Sequence, residues 1–186
     1  MEELRKNLRT GEKVLWESAP KQFGLLEGKL KSKILGEWMV AVALAVWLLY
    51  LEKDNPAFGV GVKLLVAVVV AAIIISSIME YLSLKHQKYY LTDQRAIVLT
   101  GDSTFYYMDL DKIDDFEDIR DVASDGCIAM GSAILPEVRK QLRWRACHPK
   151  TDLQEDNGNG EALGMVFYLP SGIERALELL QASAPA

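Results

Sequence analysis

The chain has 186 residues, half of them hydrophobic and a quarter charged, with a formal net charge of −5. That charge is unevenly placed: residues 1–33 carry 8 basic and 5 acidic side chains, 34–84 carry 2 and 4, and 85–186 carry 11 and 17. An acidic C-terminal half offers no clustered basic face for phosphates, which excludes a nucleic-acid partner, and two cysteines are too few to staple a small secreted domain.

The first 33 residues are basic and contain Gly11-Glu12-Lys13-Val14-Leu15-Trp16 followed by Pro20. Trp16 and Phe23 read as anchors of a segment that lies along a membrane surface or against a folded domain. Residues 34–51, ILGEWMVAVALAVWLLYL, hold one charge, Glu37. As a helix they extend about 27 Å at ~1.5 Å per residue, close to the thickness of a bilayer's hydrocarbon core. Trp38 near one end, with Trp47 and Tyr50 near the other, sit where amphipathic rings favour the membrane interface.

A short polar stretch at 52–56 leads into a second greasy run over about 58–82, of which 64–79 is uncharged. Sixteen such residues exceed the usual length of a buried strand. So short a turn makes the two helices antiparallel and leaves both ends of the 34–84 hairpin on one side. Arg5, Lys6, Arg9, Lys13, Lys21, Lys29, Lys31 and Lys33 precede the pair, and Lys85, Lys88 and Arg95 follow it, whereas the turn offers Lys53. The positive-inside rule then places both termini in the cytoplasm. The first apolar run begins too late and runs too long for a cleaved leader, so it reads as a retained anchor.

From residue 85 the texture changes to short runs rich in Tyr, Val, Ile, Phe and Thr, separated by Gly, Asp, Asn and Pro. These spacings predict seven antiparallel strands, at 86–91, 96–100, 104–110, 116–122, 127–134, 141–148 and 162–169. Residues 92–95 form the first turn, closed by Thr92 and Asp93 side chains on amides two or three positions ahead. The stretch 152–160, with Asn157-Gly158-Asn159-Gly160, reads as a polar hairpin tip. After Pro170 the period becomes helical: Ser171 and Glu174 have capping-box spacing, and Ile173, Ala176, Leu177 and Leu180 share a face. One amphipathic helix after a run of strands plugs the open end of a bent sheet.

The order of these parts resembles the membrane-anchored bacterial pleckstrin-homology-like family. The shared features are Gly11-Glu12 with Trp16 and Pro20, two hydrophobic helices, and the opening Tyr89-Tyr90-Leu91-Thr92-Asp93-Gln94-Arg95. The resemblance implies a mainly-β fold of two nearly orthogonal antiparallel sheets, seven strands in all, closed by a C-terminal helix. It places the protein in the bacterial inner membrane.

Residues 109–121 depart from that pattern with seven acids in 13 positions. They fail as a calcium loop, because Ile113 and Arg120 occupy ligand positions and no glycine stands at the sixth. A solvated or partner-facing acidic edge is the simpler account. Cys127, Cys147, His86 and His148 lack the spacing of a zinc site or a thiol catalytic pair. No catalytic, cofactor or metal residue is therefore expected, and the chain reads as a non-enzyme.

Candidate interaction residues are Arg143 and Arg145, which share one face of the predicted 141–148 strand while Trp144 takes the other, together with Arg95 and Lys88. The functional expectation is a scaffold that holds a β-domain at the cytoplasmic face of the bilayer, recognising another protein or a second copy of itself. The alternative is a lipid-responsive accessory module that binds anionic membrane lipid or assists a membrane transport or homeostasis complex, and few cations on a domain of charge −6 weigh against the lipid binding.

Overall fold

A computed structural model describes residues 2–26, 30–53, 60–101, 103–120, 126–132, 134–135, 155–156 and 161–183. The chain divides into two compact units, one formed by residues 1–23 with 82–186 and the other by 24–81. The first 23 residues thus fold with the C-terminal half, across 58 intervening positions.

The larger unit contains nine strands among the described residues. Strands β1 (Val14–Ser18), β2 (Lys88–Thr92), β3 (Arg95–Leu99), β4 (Phe105–Asp109), β7 (Glu155–Asp156) and β8 (Glu161–Ala162) form a six-stranded sheet of order β1-β2-β3-β4-β8-β7. Strands β5 (Phe116–Ile119), β6 (Cys127–Met130) and β9 (Met165–Tyr168) form a second, antiparallel sheet of order β5-β6-β9. Three of the expected strands appear within two residues of their predicted ends, at β2, β3 and β4. The predicted 162–169 strand is two: Glu161–Ala162 serves one sheet and Met165–Tyr168 the other. The predicted 141–148 strand and the 152–160 tip lie mostly or wholly outside the described residues. The expectation of purely antiparallel pairing is corrected at β4 and β8, which run parallel through Tyr107 and Glu161.

Strands β2 and β3 are buried at nearly every position, not at alternate ones. Both faces of the hairpin are covered, so alternate side chains enter different cores. Tyr89 points to the second sheet and stacks on Phe167 with ring centroids 4.9 Å apart. Tyr90, Ile97 and Leu99 pack on the opposite face against Leu4 of a short helix, α1 (Glu2–Asn7). The C-terminal helix, labelled α4 here (Ile173–Ser183), buries Ala176 and Leu180 on the predicted face. Leu180 lies beside Leu110, Ile113 and Phe116, which follow β4.

The second unit contains most of two long helices, α2 (Leu30–Lys53) and α3 (Val60–Lys85). Helix α3 is long and apolar enough to cross a membrane, with a mean hydropathy of 2.7 over its best 18 residues. In α2 the apolar stretch is Ile34–Tyr50, 17 residues. Large apolar side chains are exposed along both helices, among them Met39 at 70%, Val60 at 82% and Leu64 at 66%. A soluble unit rarely leaves so many uncovered.

Gly131, between β6 and the turn that follows, has a φ of 96° and donates its amide to Asp115 (2.8 Å). A Cβ built there would lie 2.6 Å from the Leu163 carbonyl oxygen. Gly131→Ala is expected to lower stability by about 1–3 kcal/mol through backbone strain and this collision. Thermal unfolding in detergent, followed by near-UV circular dichroism, would read the loss as a drop of several degrees in Tm.

Candidate functional site

Among the described residues, buried polar groups gather where residues 2–23, the arm, meet the β2–β3 hairpin. Gly11 adopts a φ of 84° and turns the chain. The Arg9 amide can then donate to Glu12 Oε2 (2.6 Å) and the Glu12 amide to the Arg9 carbonyl (3.1 Å). Only a glycine takes that conformation without strain, which accounts for the Gly-Glu pair. The Glu12 carboxylate, fully buried, receives Arg95 Nε (2.8 Å) and Nη2 (2.9 Å) in a forked ion pair. It also accepts the Thr92 hydroxyl at 2.8 Å.

Arg95 is held from other directions too. Its Nη2 donates to the Asn7 carbonyl (2.6 Å), and its guanidinium carbon lies 5.1 Å and 4.9 Å from the rings of Phe105 and Tyr107. Those ring faces attract the cation. The 92–95 turn closes through one of the two side chains expected to do so, Thr92 Oγ1 accepting the amides of Gln94 (3.2 Å) and Arg95 (2.9 Å). Asp93 turns instead to the arm: its carboxylate accepts the Lys13 amide (2.9 Å), while its own amide donates to the Lys13 carbonyl (3.0 Å).

Downstream of Glu12 the arm forms β1, antiparallel to β2 with a bulge between Val14 and Trp16. Trp16 stacks on Phe167 (5.8 Å) and Phe23 meets Tyr168 edge-on (5.2 Å). The Ser18 hydroxyl donates to the Ser171 carbonyl (3.0 Å) and accepts the Ser171 amide (2.8 Å), just before α4. Pro20 bridges Pro170, and the Lys21 amide reaches the Leu169 carbonyl. The arm therefore straps both sheets together.

These contacts relocate several residues singled out in the sequence. Arg95, expected on an interaction face, is 4% exposed and locked to Glu12, which corrects that expectation. Trp16 and Phe23, candidate membrane-interface residues by sequence, instead pack in the β-domain on Phe167 and Tyr168, which corrects that expectation in favour of the other place considered for them. Lys88 is exposed at the start of β2. In α2, Trp38 is half-buried while Trp47 and Tyr50 are exposed. Arg143 and Arg145 lie outside the described residues. Glu12, the other half of the lock, was not singled out in the sequence, although the first motif holds an acid and the second, in Arg95, its base.

Beside the lock an open cleft of about 540 Å³ is lined by Arg9, Asp93, Gln94, Asp109 and Asp111 among others. Arg9 Nη1 is paired with Asp109 Oδ1 at 2.8 Å, so its charge is already matched. Other acids of the stretch are likewise engaged: the Ser132 hydroxyl and then its amide (2.9 Å) donate to Asp114 and hold its pKa below the usual range, and Asp118 pairs with Arg120 (2.7 Å). No cluster of His, Cys, Asp and Glu among the described residues could hold a metal ion. No protein-family model, curated protein or solved structure matches the chain.

Burial pushes the Glu12 carboxyl toward a higher pKa, but donation from Arg95, the Arg9 amide and Thr92 outweighs it and leaves the value below normal. A carboxylate depressed by folding stabilises fully above its unfolded pKa, about 4.3 for glutamate, and that contribution is lost as pH falls through the folded value. Glu12→Ala is expected to cost about 3–5 kcal/mol, because it leaves Arg95 buried without its counter-charge. Unfolding midpoints measured at pH 7 and at successively lower pH should show the variant less stable at neutrality and the difference narrowing in acid.

Proposed function

We propose that the chain is a membrane-anchored scaffold without catalytic activity, in which α2 and α3 hold a pleckstrin-homology-like β-domain at the cytoplasmic face of a bacterial inner membrane. The domain presents its surface to another membrane or cytoplasmic protein, or to a second copy.

One observation carries the anchoring. The segments before α2 and after α3 are woven into one sheet, β1 on β2, within a single compact unit. A chain whose two flanks share a sheet enters and leaves a bilayer on the same side, so it crosses an even number of times. Helix α3 has the length and hydropathy to cross. With α3 crossing, an even count calls for a second span, and among the described residues α2 is the other long apolar helix. Its apolar stretch Ile34–Tyr50 extends about 26 Å, close to a core of about 30 Å, with Trp38, Trp47 and Tyr50 toward its ends.

Two further features support the scaffold. The buried charged pair of the β-domain, Glu12 with Arg95, is occupied in holding the arm, which is a structural use of polar groups. The two mainly antiparallel sheets with a C-terminal helix fit the pleckstrin-homology-like arrangement, with the arm as an added edge strand.

Alkaline carbonate washing should leave the full-length chain in the membrane pellet, and crosslinking in native membranes followed by purification should recover a defined partner or a discrete oligomer. Release into the wash would overturn the anchoring. A bare monomer in several detergents, with no crosslinked species, would overturn the scaffold.

A further inference from the structure

Resting on the membrane-anchored reading above, we propose that the arm is a topology latch: the β-domain completes its fold only when the chain entering α2 and the chain leaving α3 stand on the same face of the bilayer.

The arm's polar partners lie far along the sequence. Lys13 meets Asp93 across 80 positions, Glu12 meets Arg95 across 83, Asn7 meets Arg95 across 88 and Ser18 meets Ser171 across 153. Each of these contacts closes over the whole helical excursion. The arm has little structure to offer alone, since α1 is 6 residues and β1 is 5. Helices and strands so short need tertiary partners to form. During synthesis the arm appears before both helices, whereas β2 and β3 appear after them, so it waits undocked until α3 is complete.

Without the arm the remainder is left in an unfavourable state. The carboxylate and carbonyl that receive the Arg95 guanidinium, Glu12 and Asn7, both belong to the arm. Phe105 and Tyr107 offer ring faces, which attract a cation but do not replace those acceptors. Removing Leu4 uncovers Tyr90, Ile97 and Leu99, and removing Trp16 uncovers Phe167. Removing β1 bares the edge of β2. A chain in which one helix fails to cross keeps the arm on one side and its partners on the other. Its β-domain stays open, and a misinserted molecule is thereby marked by an unfolded domain.

The test uses the full-length chain in sealed vesicles, tagged at both ends. The parent is compared with a variant carrying Val42→Lys, Leu44→Lys and Val46→Lys in α2, three exposed positions outside the β-unit. Protease access to the tags reads sidedness, survival of the 82–186 core reads folding, and a carbonate wash of the parent checks the anchoring separately. The expected result is tags on one side with a resistant core in the parent, and tags on opposite sides with cleavage at least about ten-fold faster in the variant. Mild detergent, by removing the barrier, should return the variant's resistance to the parent's level. A resistant core with the tags on opposite sides would overturn the latch, as would a sensitive core with the tags together or no recovery in detergent. A parent released by carbonate would overturn the anchoring and the latch with it.

Discussion

The fold depends on a buried ion pair between residues 83 positions apart. Burying a guanidinium is costly unless it is paired and hydrogen-bonded. Glu12 meets that condition: its two oxygens take two guanidinium donors, a hydroxyl and a backbone amide. Because the glutamate belongs to the arm and the arginine to the first hairpin of the C-terminal half, the pair joins what the sequence separates. Around it, Gly11 sets the approach, Thr92 ties the turn to the carboxylate, and Leu4 and Trp16 seal the two faces of β2.

This arrangement answers why a chain leaves a long apolar helix and enters a tight hairpin within a few residues. Helix α3 ends at Lys85 and β2 begins at Lys88. The hairpin receives the strand that precedes the helices, so the chain must return to it promptly. The helical unit is consequently an insertion between the first edge strand of a sheet and that strand's neighbour. Anchored as proposed, such an insertion enters and leaves the bilayer on one side.

Much of this was legible in residues, for identifiable reasons. Long uncharged runs announced α2 and α3 because helix length and hydropathy are local properties. Thr92 announced its turn because a hydroxyl two or three residues before an amide is a local contact, and the 3.6-residue period after Pro170 announced α4. What failed to show was long-range. Trp16 between basic residues, shortly before an apolar helix, carries the same local signature as an interfacial anchor, yet its ring stacks on Phe167, 151 positions away. Arg95, placed beside a turn, looks like a surface cation until Glu12 is seen beside it. The 162–169 run reads as one strand because it is continuously apolar. Gly164, with Ile134 packed where a Cβ would stand, sits at the break between two segments that serve different sheets.

The central claim is that residues 24–81 enter and leave the bilayer through one face while the flanks fold together there. Single cysteines at Lys13, Lys53 and Glu178, each labelled with a membrane-impermeant thiol reagent in sealed inverted vesicles of a strain lacking the native cysteines, test it most directly. The account predicts that positions 13 and 178 react at once, whereas position 53 reacts only after the vesicles are opened. Positions 13 and 178 reacting from opposite sides, or all three reacting in sealed vesicles, would contradict it.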